Sequence, residues 1–447
     1  MPAALHCDEG VNVNTASKTR WAPTEGGSRR ARLAGVAAVA AAGIFALAGC
    51  APSSSGDAEA SGGELTFSNW QFLEDGKGPI IWDAVKDYDG PDGDTSLTKI
   101  EIPFANYADK LSTELGAGGG PDVMVLQDSQ FVTLAEAGLL EPLDDIADEL
   151  GDSLNETNTS GYFLDAQYGF NWERPTYSMV YNKDIFTELG LEVPETYAEF
   201  TSAAETITSA LGISGFAGRH QTAEIDGWTL EMANWLYGFG GELSDGDELT
   251  IASDENVEAV EAFLETFGSG VAPIGDDAST FRAKFGQGQV GIMFENSGVA
   301  TTLTSNPENL INGSNLGSAP LPFENPGANS QLVLAVNANG DNVEGAKDFV
   351  RWVLGEEGQT AIRAGLGASA MATDIQPDPA FLEANPWAPQ FLEAAKTSRS
   401  TLVEGFETES KVVWREFLTA VEGLRTNGGD VKPALEKVQS MLESELG

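Results

Sequence analysis

The run Val123-Met124-Val125-Leu126, set between Pro121-Asp122 and Gln127-Asp128-Ser129, constrains the fold of this chain more than any other stretch. Four consecutive apolar residues at this length suit a strand covered on both faces. Phe131, Leu134, Ala135 and Leu139 then recur at helical spacing, Asp128 or Ser129 stands where an N-cap belongs, and Gly138 marks the end. In an open parallel sheet, ligands are held at the carboxyl ends of strands, where side chains and helix N-termini face a crevice. Gln127, Asp128 and Phe131 are therefore the first candidate binding residues. The plain alternative is that Asp128 only caps its helix.

Two earlier units repeat the pattern. Leu65 and Phe67 alternate with polar residues before Trp70, and Pro79 to Tyr88 suits a helix. Leu97 to Pro103 suits a second strand, followed by a helix from Tyr107 to Leu115 and a glycine break at 116–120. Strand-helix alternation predicts an α/β sheet covered on both sides. Extended segments follow at 168–172 and 177–183, and then mostly helices to 285. Strands are expected at Val290 to Phe294 and Leu332 to Val336, and helices close the chain. No internal repeat is evident. The acidic loop 87–94 lacks the spacing of an EF-hand and is expected to be a solvated turn.

At 447 residues, with 41% hydrophobic composition, the chain should form two domains or one bilobal unit. Its net charge of -45, from 24 basic and 69 acidic residues, argues against nucleic acid or an anionic lipid surface as partner. At the N-terminus, Arg29, Arg30 and Arg32 precede an Ala-rich apolar stretch, 33–48, too short for a stable membrane span, which ends in Leu47-Ala48-Gly49-Cys50. This order resembles a bacterial lipoprotein signal with its lipobox, which implies cleavage before Cys50 and a lipid on its sulfur. Residues 1–49 are then a signal with a long leader, and 50–63 a lipidated flexible tether. Cys7 is the only other cysteine, so the exported chain would carry no disulfide.

The succession of signatures resembles the family 1 extracellular solute-binding proteins, the maltose-binding-type sugar receptors of bacterial ABC importers. The supporting residues are Pro121-Asp122-Val123 through Gly138-Leu139-Leu140, Val180-Tyr181-Asn182-Lys183-Asp184 with Leu189-Gly190-Leu191, and Gly240-Gly241. They continue with Phe285-Gly286-Gln287-Gly288 into Gly291-Ile292-Met293, Glu344-Gly345-Ala346-Lys347-Asp348-Phe349, and the late Trp414 and Leu435. The resemblance implies a bilobal type II binding-protein fold: two discontinuous α/β lobes, 64–174 with 328–374 and 175–327 with 375–447, joined by hinges near 172–177, 325–331 and 372–378. It also implies a carbohydrate ligand held between the lobes, a membrane permease as partner, a separate ATPase chain acting through that permease, no cofactor and no metal, and a monomer on the extracellular face of the membrane.

A sugar presents hydroxyl edges to carboxylates and amides and C-H faces to aromatic rings. Among nine tryptophans, Trp70 with Gln71, Trp172 with Glu173, Trp228 and Trp414 fall at expected element ends, Trp414 at a position resembling the family's stacking aromatic. Trp82, Trp235, Trp352 and Trp387 suit structural roles. Glu173 is the favoured hydroxyl acceptor, unless Arg174 pairs with it. Glu295 and Asn296 follow a strand as Asp128 does, Gln331 lies near a hinge, and Asn106 and Tyr107 are weaker candidates. No nucleophile elbow or Cys/His cluster is present, and His220 is the single histidine beyond the leader. The competing functions are a receptor for a polyamine or other small cation and, less favoured, a two-carboxylate glycoside hydrolase.

Overall fold

The structure, a computed structural model, describes residues 62–74 and 77–446. The leader, Cys50 and nearly all of the tether lie outside the described residues. Among the described residues eleven strands occur in chain order: β1 Gly63–Ser68, β2 Thr95–Ile100, β3 Val123–Gln127, β4 Tyr162–Phe163, β5 Ala166–Gln167, β6 Gly169–Glu173, β7 Tyr177–Asn182, β8 Ser214–Ala217, β9 Val290–Asn296, β10 Leu316–Ala319 and β11 Leu332–Val336. They form two large sheets, β2-β1-β3-β11-β6 and β10-β7-β9-β8, with β4 and β5 as a separate two-stranded ladder.

In the first sheet β1 runs parallel to β2 and β3, whereas the late-returning β11 is antiparallel to both β3 and β6. Val123 to Leu126 and Leu332 to Val336 are buried throughout, as expected for central strands covered on both faces. One core, including Phe67, Phe131, Phe349 and Val353, belongs to this sheet. The second sheet pairs β7 with β9 and β10 antiparallel and β8 with β9 parallel. Its strands contribute to two cores: one holds Phe200, Trp235 and Phe294, the other Val180, Phe285 and Trp387. The closing helices Ser410–Asn427 and Val431–Leu446 pack into the former through Val413, Phe417, Leu435 and Leu442.

The chain thus passes from the first sheet to the second between Glu173 and Tyr177, returns between Ala319 and Leu332, and leaves again after Ala372, the last residue buried in the first core. Single β-bridges tie the crossing segments together: Arg174 with Ala370, Thr176 with Asn329, and Ala328 with Arg399.

This connectivity positions the site. The parallel β1, β2 and β3 end on the same edge as β6, and Gln331 enters β11 there, because Leu332 pairs with both Gln127 and Glu173. In the second sheet β8 and β9 end where β7 begins, with Tyr177 opposite Asn296. Only Arg174, Pro175 and Thr176 separate the two edges along the chain, so the crossing brings together two rims of strand ends.

The helix after β3 spans Asp128–Glu136 and stops before Gly138, whose φ of +68° suits glycine. Its cap is Gln127 rather than Asp128 or Ser129, and Gln127 makes no side-chain capping bond. Phe131 points into the first core and is fully buried, which removes it from the candidate binding residues.

Candidate functional site

At the end of β6 the sequence candidates Gln71, Trp172 and Glu173 meet, but as a closed network. Glu173 is 1% exposed. Its Oε2 accepts from Gln71 Nε2 at 2.6 Å and from Lys77 Nζ at 2.7 Å, and its Oε1 from Lys77 at 2.9 Å and Ser369 Oγ at 2.9 Å. Gln71 Oε1 in turn accepts from the Trp172 indole N–H at 2.9 Å, and the Trp172 ring packs edge-on against Phe67. A carboxylate offers about four lone-pair directions, and four contacts fill them. The expected roles of Glu173 as hydroxyl acceptor and Trp172 as stacking ring are corrected on this ground. Arg174 is not the partner of Glu173: its Nε donates to Gln331 Oε1 at 2.6 Å and its guanidinium to Thr157 O at 3.0 Å. With Gln331 Nε2 also bound to Asn171 at 2.7 Å, the Gln331 amide is occupied as well.

Asp128 sits differently. It occupies the first turn of its helix, where Oδ1 accepts from the Ser129 N–H at 2.8 Å and Oδ2 from Ser400 Oγ at 2.9 Å. Burial pushes its carboxyl pKa up against those two hydrogen bonds and the charge of Lys411. Ser400 lies in the segment that joins the two halves: Leu402 packs on the first core, and Val403 is buried in the second. A second tie crosses from the end of β9, where Ser297 Oγ lies 2.8 Å from Ser369 Oγ.

On the second rim Glu295 is fully buried and clamped by Arg282, Nε to Oε1 at 2.6 Å and a terminal nitrogen to Oε2 at 2.9 Å. Burial opposes its charge, but Arg282 and Arg219 hold the carboxyl below its ordinary pKa. Asn296 caps the helix Ser297–Ser305, accepting from the Val299 N–H at 3.1 Å. Both expected ligand groups are thus held by protein partners. Behind them Glu231 accepts the backbone N–H of Arg219 on both oxygens, each at 3.0 Å. Burial pushes its carboxyl up to about 8, with Arg219 pulling the other way. Gly218 permits this approach, since a Cβ there would lie 2.0 Å from Glu231 Oε1.

Trp228, expected at an element end, lies within the helix Ile225–Gly238, has no exposed surface and packs near Phe263, so it is a core residue. Trp70 is 6% exposed beneath neighbouring aromatics, and Tyr107 is buried with its hydroxyl on Ser68 O. Gln127 is half-buried beside Asp128, and Asn106 is exposed.

Trp414 lines a recess of about 180 Å³, together with Tyr237, Glu242, Arg399, Ser400 and Glu404. Its indole N–H donates to Thr401 O at 2.8 Å, which fixes the ring. The Arg399 guanidinium lies 4.1 Å from the centre of the Tyr237 ring and pairs with Glu242, while the Tyr237 hydroxyl donates to Ser400 O at 2.9 Å. Ser400 is therefore shared between Asp128 and the recess. The residues missed by sequence reasoning, Tyr237, Glu242, Arg399 and Ser400, come from a helix, the loop after it and a crossing segment, and no local pattern marks them. A larger cavity of about 620 Å³, lined by Asn155, Thr157, Arg363, Asp374 and Lys396, has no aromatic side chain among its lining residues.

Residues 55–360 match the model of the bacterial extracellular solute-binding protein family. The diacetylchitobiose binding protein DasA of Streptomyces coelicolor is 27% identical over 397 residues, covering 82% of this chain and 87% of that protein. The galactooligosaccharide-binding protein of Bacillus subtilis is 22% identical over 442 residues, 94% and 98% of the two chains. Among solved structures, the GacH receptor of Streptomyces glaucescens, determined unliganded and with acarbose, has a TM-score of 0.74 at 19% identity, over 86% of this chain and 98% of that one. Maltose-bound MalE3 of T. maritima has a TM-score of 0.73 at 20% identity, over 86% and 99%. These likenesses carry the fold: it is the bilobal α/β architecture of maltose-binding-type proteins.

Proposed function

The chain belongs to the bacterial extracellular solute-binding proteins, and from that premise we propose that it captures a sugar or oligosaccharide between its two lobes and delivers it to the permease of an ABC importer. The observation that carries this is the recess at Trp414. An aromatic ring, two carboxylates and a serine hydroxyl converge there beside the strand-end carboxylate Asp128, to which Ser400 links them. Rings supply faces for C-H surfaces and carboxylates accept hydroxyls, and 180 Å³ suits a small polar ligand or one unit of a longer one. In this reading the lobes are 64–174 with 328–374 and 175–327 with 375–447, and the interlobe bonds of Asp128 to Ser400 and of Ser297 to Ser369 belong to the closed arrangement, which a hinge motion reaches on binding.

A cationic ligand is disfavoured, because the Arg399 guanidinium already covers the Tyr237 ring and would repel a second cation. The protein acts as a binding protein rather than an enzyme, as a monomer, with the ATPase on a separate chain. Its anchor is a lipid on Cys50, supported by the basic, apolar and small-residue segments before it. Replacing Cys50 by Ala is expected to abolish palmitate labelling and release the protein into the medium.

A thermal-shift screen over mono- and oligosaccharides tests the binding reading, since a ligand a hundredfold above its Kd adds about 2.7 kcal/mol of stability. A rise of several degrees with at least one saccharide is expected. A flat response across the panel, with a rise for polyamines, overturns it.

A further inference from the structure

Phe104 is an exposed aromatic that packing does not explain. It opens the helix Phe104–Gly116, whose other large apolar residues, Tyr107, Leu111 and Leu115, are buried, yet it remains 52% exposed. It lies four residues beyond the end of β2, on the edge of the first sheet that also carries Gln71, Asp128 and Glu173. Beneath it sits Trp70, with ring centroids 5.6 Å apart. Trp70 is itself fixed, edge-on to Tyr107 at 5.0 Å. The aromatic surface that this rim offers is therefore Phe104, backed by Trp70.

The strand order sets the distance. In the sequence β2-β1-β3-β11-β6, the strand leading to Phe104 is the outer edge, β6 adjoins the first crossing segment, and β3 with Asp128 lies between. Two strand spacings separate the ends of β2 and β3, roughly 10 Å along the rim. A ligand anchored by Asp128 and Ser400 reaches Phe104 only if it extends beyond its first ring.

Resting on the carbohydrate reading above, the geometry points to Phe104 as a length-selecting residue: its exposed face, seated on Trp70, stacks on the C-H face of an outer sugar ring of an oligosaccharide. Stacking of this kind is sequence-tolerant with respect to hydroxyl pattern, because it uses the ring face, so Phe104 reads length rather than linkage.

The test is calorimetric titration of the wild-type protein, Phe104→Ala and Phe104→Trp with glucose, maltose and maltotriose, and with N-acetylglucosamine, its disaccharide diacetylchitobiose and the corresponding trisaccharide. The expected result is a roughly tenfold loss of trisaccharide affinity in Phe104→Ala, with monosaccharide affinity unchanged and trisaccharide affinity recovered in Phe104→Trp. Equal affinities of wild type and Phe104→Ala at every length overturn the assignment, as does an equal loss at every length. If the wild type binds no saccharide of either series, the carbohydrate reading fails, and this inference with it.

Discussion

Lys77 and Glu173 allow the sharpest test of how the first rim is built. The Glu173 carboxylate is 1% exposed, and Lys77 is 22% exposed with its Nζ bonded to both oxygens. Removing one partner of a buried pair costs about 3–5 kcal/mol, because the other charge is left uncompensated. Here Gln71 and Ser369 still donate to Glu173, and partial exposure of Lys77 admits water to its place, so Lys77→Met should cost less, about 2–3 kcal/mol. At 2–4 °C per kcal/mol for a lobe of this size, the melting midpoint falls by roughly 5–10 °C. Glu173→Gln removes the charge that needed a partner, so adding Lys77→Met to it should cost little. The double-mutant cycle should then show a coupling of about 2 kcal/mol, most of the Lys77→Met cost. Urea denaturation of the four proteins supplies the cycle, provided the m-values agree. Saccharide affinity of Glu173→Gln should stay within about threefold of wild type, because its oxygens already have protein partners. A Lys77→Met cost under about 0.5 kcal/mol, or additive mutations, refutes the account of the network, and a large affinity loss in Glu173→Gln would return that carboxylate to the ligand.

Glu231 predicts a pH dependence. Its folded pKa of about 8 lies above the ordinary carboxylate value of 4.5, so between these values the folded state holds a proton that the unfolded state has lost. Its contribution to stability is present below pH 4.5 and lost as pH rises toward 8; a Glu231→Gln protein should lack that decline in midpoint-against-pH scans, and an unchanged slope contradicts the assignment. Trp172→Phe should destabilise by about 1–2 kcal/mol more than Trp228→Phe, because the Trp172 N–H donates to Gln71 whereas that of Trp228 has no partner; urea midpoints decide between this order and its reverse. Ser400→Ala should weaken saccharide binding about fivefold, the worth of about 1 kcal/mol, by removing the hydrogen bond to Asp128, and equal calorimetric affinities would exclude a role for that bond in closure.

The sequence was most legible where periodicity and burial coincide. Val123 to Leu126 and Leu332 to Val336 stand out as central strands because both faces are covered. The short β8 and β10 carry no such signal. Gly215 leaves β8 without an apolar pattern, and it is there because a Cβ would meet the Ala204 carbonyl at 2.0 Å. The same cause hid the start of the helix Ile225–Gly238: Gly227 suggests a loop, but it admits the Arg219 guanidinium, whose Nε lies 2.5 Å from where a Cβ would stand. In both cases close tertiary approach, not local turn chemistry, selects glycine. The carboxylates stand out individually at strand ends, while their partners do not. Lys77 lies 96 residues from Glu173, Ser369 lies 196 residues from it, and Ser400 lies 272 from Asp128, separations at which one sequence carries no pairing signal.

The central claim, that a neutral carbohydrate is bound where Trp414, Ser400 and Asp128 meet, is tested most directly by titrating the protein calorimetrically with oligosaccharides at low and high salt. A single saturable site whose affinity hardly changes with ionic strength is expected, since a neutral ligand has no charge to screen. Absence of heat with every saccharide, or an affinity that collapses as salt rises, would contradict it.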